Sequence, residues 1–300
     1  MSSIHTNILA TLAYFDMFEY PLTRQEIFRF LFYKHREEDV SCAIHNLVTE
    51  RRIYQLDKFY SLRNDHLIIA ERRKVTMAAR KFITKASARA KWLIRLPFVR
   101  GVGVSGTFHK NLWEERADAD MLIITSKNRL WIARMLVNCY RLFAFPKQEN
   151  ALQLSYYIDE QELELRDKNL HTAVAINMLV PLEGDITFEK FYAANAWVRS
   201  YLPNKLMRVS SATPLSSTIC KLWFEKLFDN RAGNKLDNFL MRISAWCKQK
   251  GLPTGMLAGQ SNWGKHFKKP EHAGFSYWME QRYNEKVIRL IGKADHRIAQ

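Results

Sequence analysis

Two aspartates separated by one residue, Asp118-Ala119-Asp120, stand directly ahead of an apolar run, Met121 to Ile124. In an extended strand successive side chains point to opposite faces, so Asp118 and Asp120 share one face and Ala119 and Met121 the other. Two carboxylates held side by side at the start of a buried strand repel each other unless a cation sits between them. Oxygen donors on a rigid strand suit Mg²⁺, which takes one or two carboxylates together with substrate phosphates. About ten residues upstream lies Ser105-Gly106-Thr107, at the end of a short apolar run from Pro97 to Val104. Glycine in such a turn lets backbone N–H groups approach a phosphate, the more so where a helix begins just after it. The plainer alternative is a pair of solvated carboxylates at a strand edge. The full order of strand, glycine turn, polar spacer, Asp-x-Asp and strand favours the metal-site reading.

The elements around this stretch follow from periodicity. Ile8, Leu12 and Phe15 recur at helical spacing before Pro21 stops the helix, and Thr23 with Glu26 forms a capping box for a second helix through Phe32. A third helix is expected from Asp39 to Arg51, and the segment 52–62 alternates as a hairpin around Asp57-Lys58. Three helices and a hairpin describe a winged helix, in which the third helix can read the major groove and the wing touches the backbone. Arg51, Arg52 and Lys58 are its candidate DNA contacts, against an acidic start at Glu37, Glu38 and Asp39. Residues 64–95 form a long basic helix bearing Arg72, Arg73, Lys74, Arg80, Lys81, Lys85, Arg89, Lys91 and Arg95. Its cations are either a solvated face or a surface for nucleic acid or nucleotide phosphates.

After the aspartate pair, Leu130 to Phe143 is a helix flanked by Arg129 and Arg134, either of which can face a triphosphate or a carboxylate. Leu152 to Ile158 alternates as a strand whose other face carries Gln153, Ser155 and Tyr157, with Asp159 just beyond. Further helices are expected over 167–181, in a pair within 213–250 broken at 230–234, and over 280–298, with a loop over 252–270. Asn195 and Asn204 are open between base or ribose contacts and structural roles, and Trp197 and Tyr201 read as core aromatics. His266 and His272 lack helical partners and read as satisfied or exposed side chains.

Composition bounds the partners. Forty-six Lys and Arg against thirty Asp and Glu give a net charge of +16, which suggests a polyanionic partner and also serves solubility. The four cysteines, Cys42, Cys139, Cys220 and Cys247, have no Cys-x-x-Cys spacing and read as buried, reduced thiols. Neither a signal peptide nor a membrane-length apolar run is seen, so a cytoplasmic protein without a membrane partner is expected.

Gly106-Thr107 followed by Asp118-Ala119-Asp120 resembles the nucleotidyltransferase superfamily, the DNA polymerase beta-like fold. The segments 10–23, 128–134 and 195–204 resemble a bacterial group of uncharacterised proteins in which a winged-helix-like segment precedes such a domain. The resemblance covers roughly residues 8 to 205. It implies an α/β (α+β) fold: a small mixed-sheet nucleotidyltransferase core with an N-terminal winged helix and C-terminal helices. The expected division is a winged-helix-like domain over 1–64, a basic linking helix over 65–95, a nucleotidyltransferase-like domain over 96–205 and a helical region over 206–300. By resemblance the reaction is transfer of a nucleoside monophosphate from an NTP to an acceptor hydroxyl. Asp118 and Asp120 are then the catalytic, Mg²⁺-holding pair, and Ser105, Gly106, Thr107 and Arg129 the nucleotide-binding residues. The alternative is a winged-helix DNA-binding regulator, or a scaffold, whose nucleotidyltransferase-like domain is degenerate and non-catalytic.

Overall fold

The computed structural model describes residues 3–104, 121–144, 156–204, 212–213, 219–249, 261–270 and 275–292. Helix and sheet are mixed, in two sheets of unequal size. The N-terminal unit runs α1 (Ile4–Asp16), β1 (Leu22–Thr23), α2 (Arg24–Phe30), α3 (Glu37–Thr49), β2 (Tyr54–Leu56) and β3 (Phe59–Ser61). Its three strands pair in the order β1-β3-β2, all antiparallel. The capping box that opens α2 is formed, with Thr23 N donating to Glu26 Oε2 at 2.8 Å and Glu26 N to Thr23 Oγ1 at 3.3 Å.

Helix α4 (His66–Leu93) begins at Asp65, whose carboxylate accepts from Leu67 N at 2.8 Å. Arg72 is not part of its solvated stripe. It is buried, donates to Glu26 Oε1 at 2.8 Å and lies 3.9 Å from the Tyr20 ring centre, anchoring α4 to the N-terminal unit. The other basic residues that end their turns outward, Arg73, Arg80, Lys81, Lys85 and Lys91, are exposed.

The larger sheet contains β4 (Val99–Val104), β5 (Met121–Thr125), β6 (Tyr156–Asp159), β7 (Val180–Glu183), β8 (Ser261–Trp263) and β9 (Phe267–Pro270). Its order is β7-β4-β5-β6-β9-β8. Strand β5 runs antiparallel to β4 and parallel to β6, which is reached through α5 (Leu130–Ala144). All five residues of β5 are buried, as expected of a strand covered on both faces. Met121 and Ile123 belong to one apolar cluster, while Leu122 and Ile124 belong to the other. The first side is covered by α4, α5, α9 (Ile219–Phe228) and α10 (Arg231–Gln249). The second is covered by α6 (Leu170–Met178), α7 (Asp185–Ala194) and the N-terminal helices.

Two glycines of β4 set how closely α7 approaches. A Cβ on Gly103 would lie 2.8 Å from Phe188 Cζ, and one on Gly101 would lie 3.2 Å from Phe188 Cε2. Between β7 and α7, Gly184 has φ 87° and passes so close to Arg100 O that a Cβ would lie 2.2 Å away. Only glycine meets both demands at that turn.

Several expectations change on contact with the structure. The hairpin β8–β9 occupies part of the stretch expected to be loop, and β7 follows α6 within a stretch expected to be helix. The α9–α10 break is tighter than the expected 230–234, since α9 ends at Phe228 and α10 begins at Arg231. Cys42 and Cys220 are exposed, Cys139 is half-buried and only Cys247 is buried; all four are free thiols. The N-terminal unit does not own a separate core, because one apolar cluster joins Ile8, Leu12 and Phe15 of α1 to Leu122, Ile124, Ile158 and Phe188. The closing helix α11 (Phe275–Ile291) packs on α1: Tyr14 and Tyr283 rings meet edge-on at 5.8 Å, and Lys286 pairs with Asp16. Among the described residues no helix is long and apolar enough to cross a membrane.

Candidate functional site

Ser105, Gly106, Thr107, Asp118 and Asp120 lie outside the described residues. What the structure describes is the frame at either end of that segment. Val104, the last residue of β4, pairs with Met121, the first of β5, at the same end of the sheet. Asp120 immediately precedes Met121 in the chain, and Ser105 immediately follows Val104. Among the described residues no group of three or more His, Cys, Asp or Glu side chains is placed to hold a metal ion.

The parallel register of β5 and β6 decides what can stand beside that end. Leu122 pairs with Tyr156, and Thr125 pairs with Asp159. Asp159 is therefore at the far end of the strand, about 13 Å of strand length from Met121 at ~3.3 Å per residue. It is fully buried and already engaged: it accepts from Asn128 N at 3.0 Å and Gln161 N at 2.9 Å, and His266 Nδ1 lies 2.7 Å from its Oδ2. Asp159 thus spends both oxygens at this far end, and His266 is satisfied, in keeping with its lack of a helical partner.

Arg129 also belongs to this far end. Its side chain is 4% exposed. The guanidinium donates to Phe228 O at 3.1 Å, Asn128 O at 2.8 Å, Asn230 O at 3.3 Å and Asn234 Oδ1, and it pairs with Asp229 at 3.6 Å. These partners turn Arg129 into the clamp between the start of α5 and the α9–α10 corner, at the opposite end of β5 from the Val104–Met121 pair.

The polar centre that the sequence reading missed lies on this same side. Asp237 of α10 accepts from Trp131 N and Ile132 N, both at 2.9 Å, capping the first turn of α5 from outside the helix. Burial pushes its carboxyl up to about 6, against the two amide hydrogen bonds and the Arg129 charge, which lower it. Glu225 of α9 holds Arg100 with two hydrogen bonds, at 2.7 and 2.8 Å, and accepts from Phe98 N at 2.6 Å. Burial raises its carboxyl, but the Arg100 and Phe98 hydrogen bonds and the Arg100 and Lys221 charges outweigh that and hold it below the usual range. Buried Lys221 donates to Ile94 O at 2.6 Å and Val99 O at 2.7 Å, and burial, then the Arg100 charge, brings its ammonium down to about 8 while Glu225 opposes. No sequence spacing reveals these groups, because each pairs across more than a hundred residues of chain.

Asn195 and Asn204 resolve to structural roles. Asn195 donates to Leu163 O and Phe191 O at 2.8 and 2.9 Å, and Asn204 donates to Phe28 O and Tyr33 O at 3.2 and 3.1 Å. In the N-terminal unit Arg51, Arg52 and Lys58 are exposed around the hairpin. The outward residues of α3 are Glu37, Glu38, Asp39, Cys42, His45, Asn46 and Thr49, a face with acids and no Lys or Arg. Such a face repels the phosphates that flank a major groove. Compared with known proteins, the chain matches no protein family, no curated protein and no solved structure.

Proposed function

We propose that the chain is a Mg²⁺-dependent nucleotidyltransferase, which moves a nucleoside monophosphate from an NTP to an acceptor hydroxyl. In that transfer the acceptor hydroxyl loses its proton to solvent as its oxygen bonds to the α-phosphorus, the bond from the α-phosphorus to the oxygen bridging the β-phosphate breaks, and pyrophosphate leaves. The observation that carries the reading is the pairing of Val104 with Met121 in adjacent buried strands. It gives the segment bearing Gly106, Thr107, Asp118 and Asp120 two rigid ends, the support a phosphate-handling site requires. The crossover from β5 through α5 to a parallel β6 supports it further, since it gives a sheet of mixed parallel and antiparallel strands.

Asp118 and Asp120 are a hard, all-oxygen donor pair, which fits Mg²⁺ better than a softer metal. When bound, the ion supplies charge neutralisation at phosphate oxygens. The Gly106 amide and Thr107 hydroxyl are assigned to the β- and γ-phosphates, because positioning is most of phosphoryl transfer. Asp159, the acid at the end of β6, is engaged by Asn128, Gln161 and His266, and the site is read as a two-carboxylate one. Mg²⁺ is commonly held by that number alongside substrate phosphates. A DNA-reading role for α3 is not proposed, given its acidic outward face.

Calorimetric titration of each NTP, with and without Mg²⁺, tests this against wild type, Asp118→Ala and Asp120→Ala. The expected result is at least one NTP that binds only with Mg²⁺, weakened tenfold or more (about 1.4 kcal/mol) in either variant. Binding indifferent to both aspartates, or no binding of any NTP, rejects the reading.

A further inference from the structure

Helix α10 turns a stripe of alternating cations and aromatics to solvent. Arg231, Lys235, Phe239, Arg242 and Trp246 are all exposed, Phe239 at 58% and Trp246 at 55%. Their spacing of four, four, three and four residues keeps them on one face, a line about 22 Å long at 1.5 Å per residue. Asp237 is the single acid of this helix, and it is buried on the opposite side against the start of α5. The outward face of α10 thus carries three cations and no anion, and among the described residues none of the three is in an ion pair.

A solvated charged face explains lysine and arginine. It does not explain two large aromatic rings left in water between them, since soluble proteins expose such rings singly and seldom in a line. An apolar partner surface would cover the rings and strand the cations without counter-charges. A polyanion that also presents flat apolar faces satisfies both sets at once. Single-stranded nucleic acid is that chemistry: phosphates for Arg231, Lys235 and Arg242, and unstacked bases for Phe239 and Trp246. A duplex keeps its bases stacked inside and offers the rings nothing.

We propose that the outward face of α10 binds single-stranded nucleic acid, the cations tracking its phosphates while Phe239 and Trp246 stack on its bases. None of these five residues is assigned to nucleotide transfer, so the contact stands or falls separately from it.

Fluorescence anisotropy of a labelled oligo(dT) or oligo(U) strand of about twenty nucleotides tests it, at about 50 mM and about 200 mM salt. The full chain is compared with Phe239→Ala/Trp246→Ala and with Arg242→Glu, each checked for an unchanged thermal melt. Wild type is expected to bind the strand in preference to a duplex of equal length, with weakening at the higher salt. The double aromatic variant is expected to lose tenfold or more, as is usual for removing stacked rings. Arg242→Glu is expected to weaken binding and flatten its salt dependence. Trp246 gives a second readout, since stacking quenches its emission and Trp246→Phe removes that part of the signal. No binding at the lower salt, equal binding of duplex, or unchanged affinity in the aromatic variant each overturns the proposal.

Discussion

Asp237 shows how one buried side chain can set the pH dependence of the fold. One carboxylate oxygen receives two amide hydrogens at the start of α5, while Oδ2 is buried with no hydrogen-bond partner among the described residues. Its folded pKa, about 6, exceeds the ordinary 3.8. A raised carboxylate contributes stability that is fully present below pH 3.8 and lost as pH rises through about 6. Asp237→Asn keeps the accepting oxygen and removes the charge. It is expected to raise Tm at pH 8, by a stability gain of about 1–3 kcal/mol, and to match wild type near pH 4. Thermal melts at the two pH values check this; a variant less stable at pH 8 would show that the charge–helix attraction outweighs desolvation.

At the scale of elements, contact between α7 and the sheet rests on what β4 lacks. Gly103 faces the fully buried Phe188 ring, which has no room to retreat. Gly103→Ala is expected to destabilise by about 1–3 kcal/mol through overpacking, and adding Phe188→Leu is expected to recover part of the loss. Urea unfolding of the two variants measures it, and equal losses in both would remove the ring as the cause. The element pattern was legible where local rules govern it. The Thr23–Glu26 capping box, the basic helix after Asp65 and the helix after Arg129 all stand within a few residues of their expected limits. Strands β7, β8 and β9 are not legible, because each is four residues or fewer, and β7 and β9 join the sheet through strands distant in the chain. The aspartate pair was visible as a spacing. Arg129 reads from the sequence as a contact for a triphosphate or a carboxylate; its partners at residues 228–234 form a corner that no local pattern ties to it.

Across the whole molecule, apolar packing crosses the expected division at residue 64. Every residue of α1 from Thr6 to Asp16 is buried, so the helix needs cover on all sides. Helices α2 and α3 supply one side; α6 and α11 supply the other, where Tyr14 meets His171 at 3.1 Å and Tyr283 edge-on. A fragment of residues 1–64 is therefore expected not to fold alone. Circular dichroism and urea titration of that fragment check it, and a cooperative transition there would restore an autonomous domain. The all-round apolar character of Ile8-Leu-Ala-Thr-Leu-Ala-Tyr-Phe15 was the available sequence signal for this, since an amphipathic stripe would have sufficed for a unit covered on one side.

The meeting of α1 with α11 has a consequence for the chain as it is made. Synthesis runs at about 5–20 residues per second, so α1 emerges from the ribosome well before the helix that covers it exists. Through that interval the apolar helix lacks the neighbour that completes its cover. A nascent chain halted before residue 275 would leave that face of α1 without the cover that Tyr283 and Val287 give it in the finished fold.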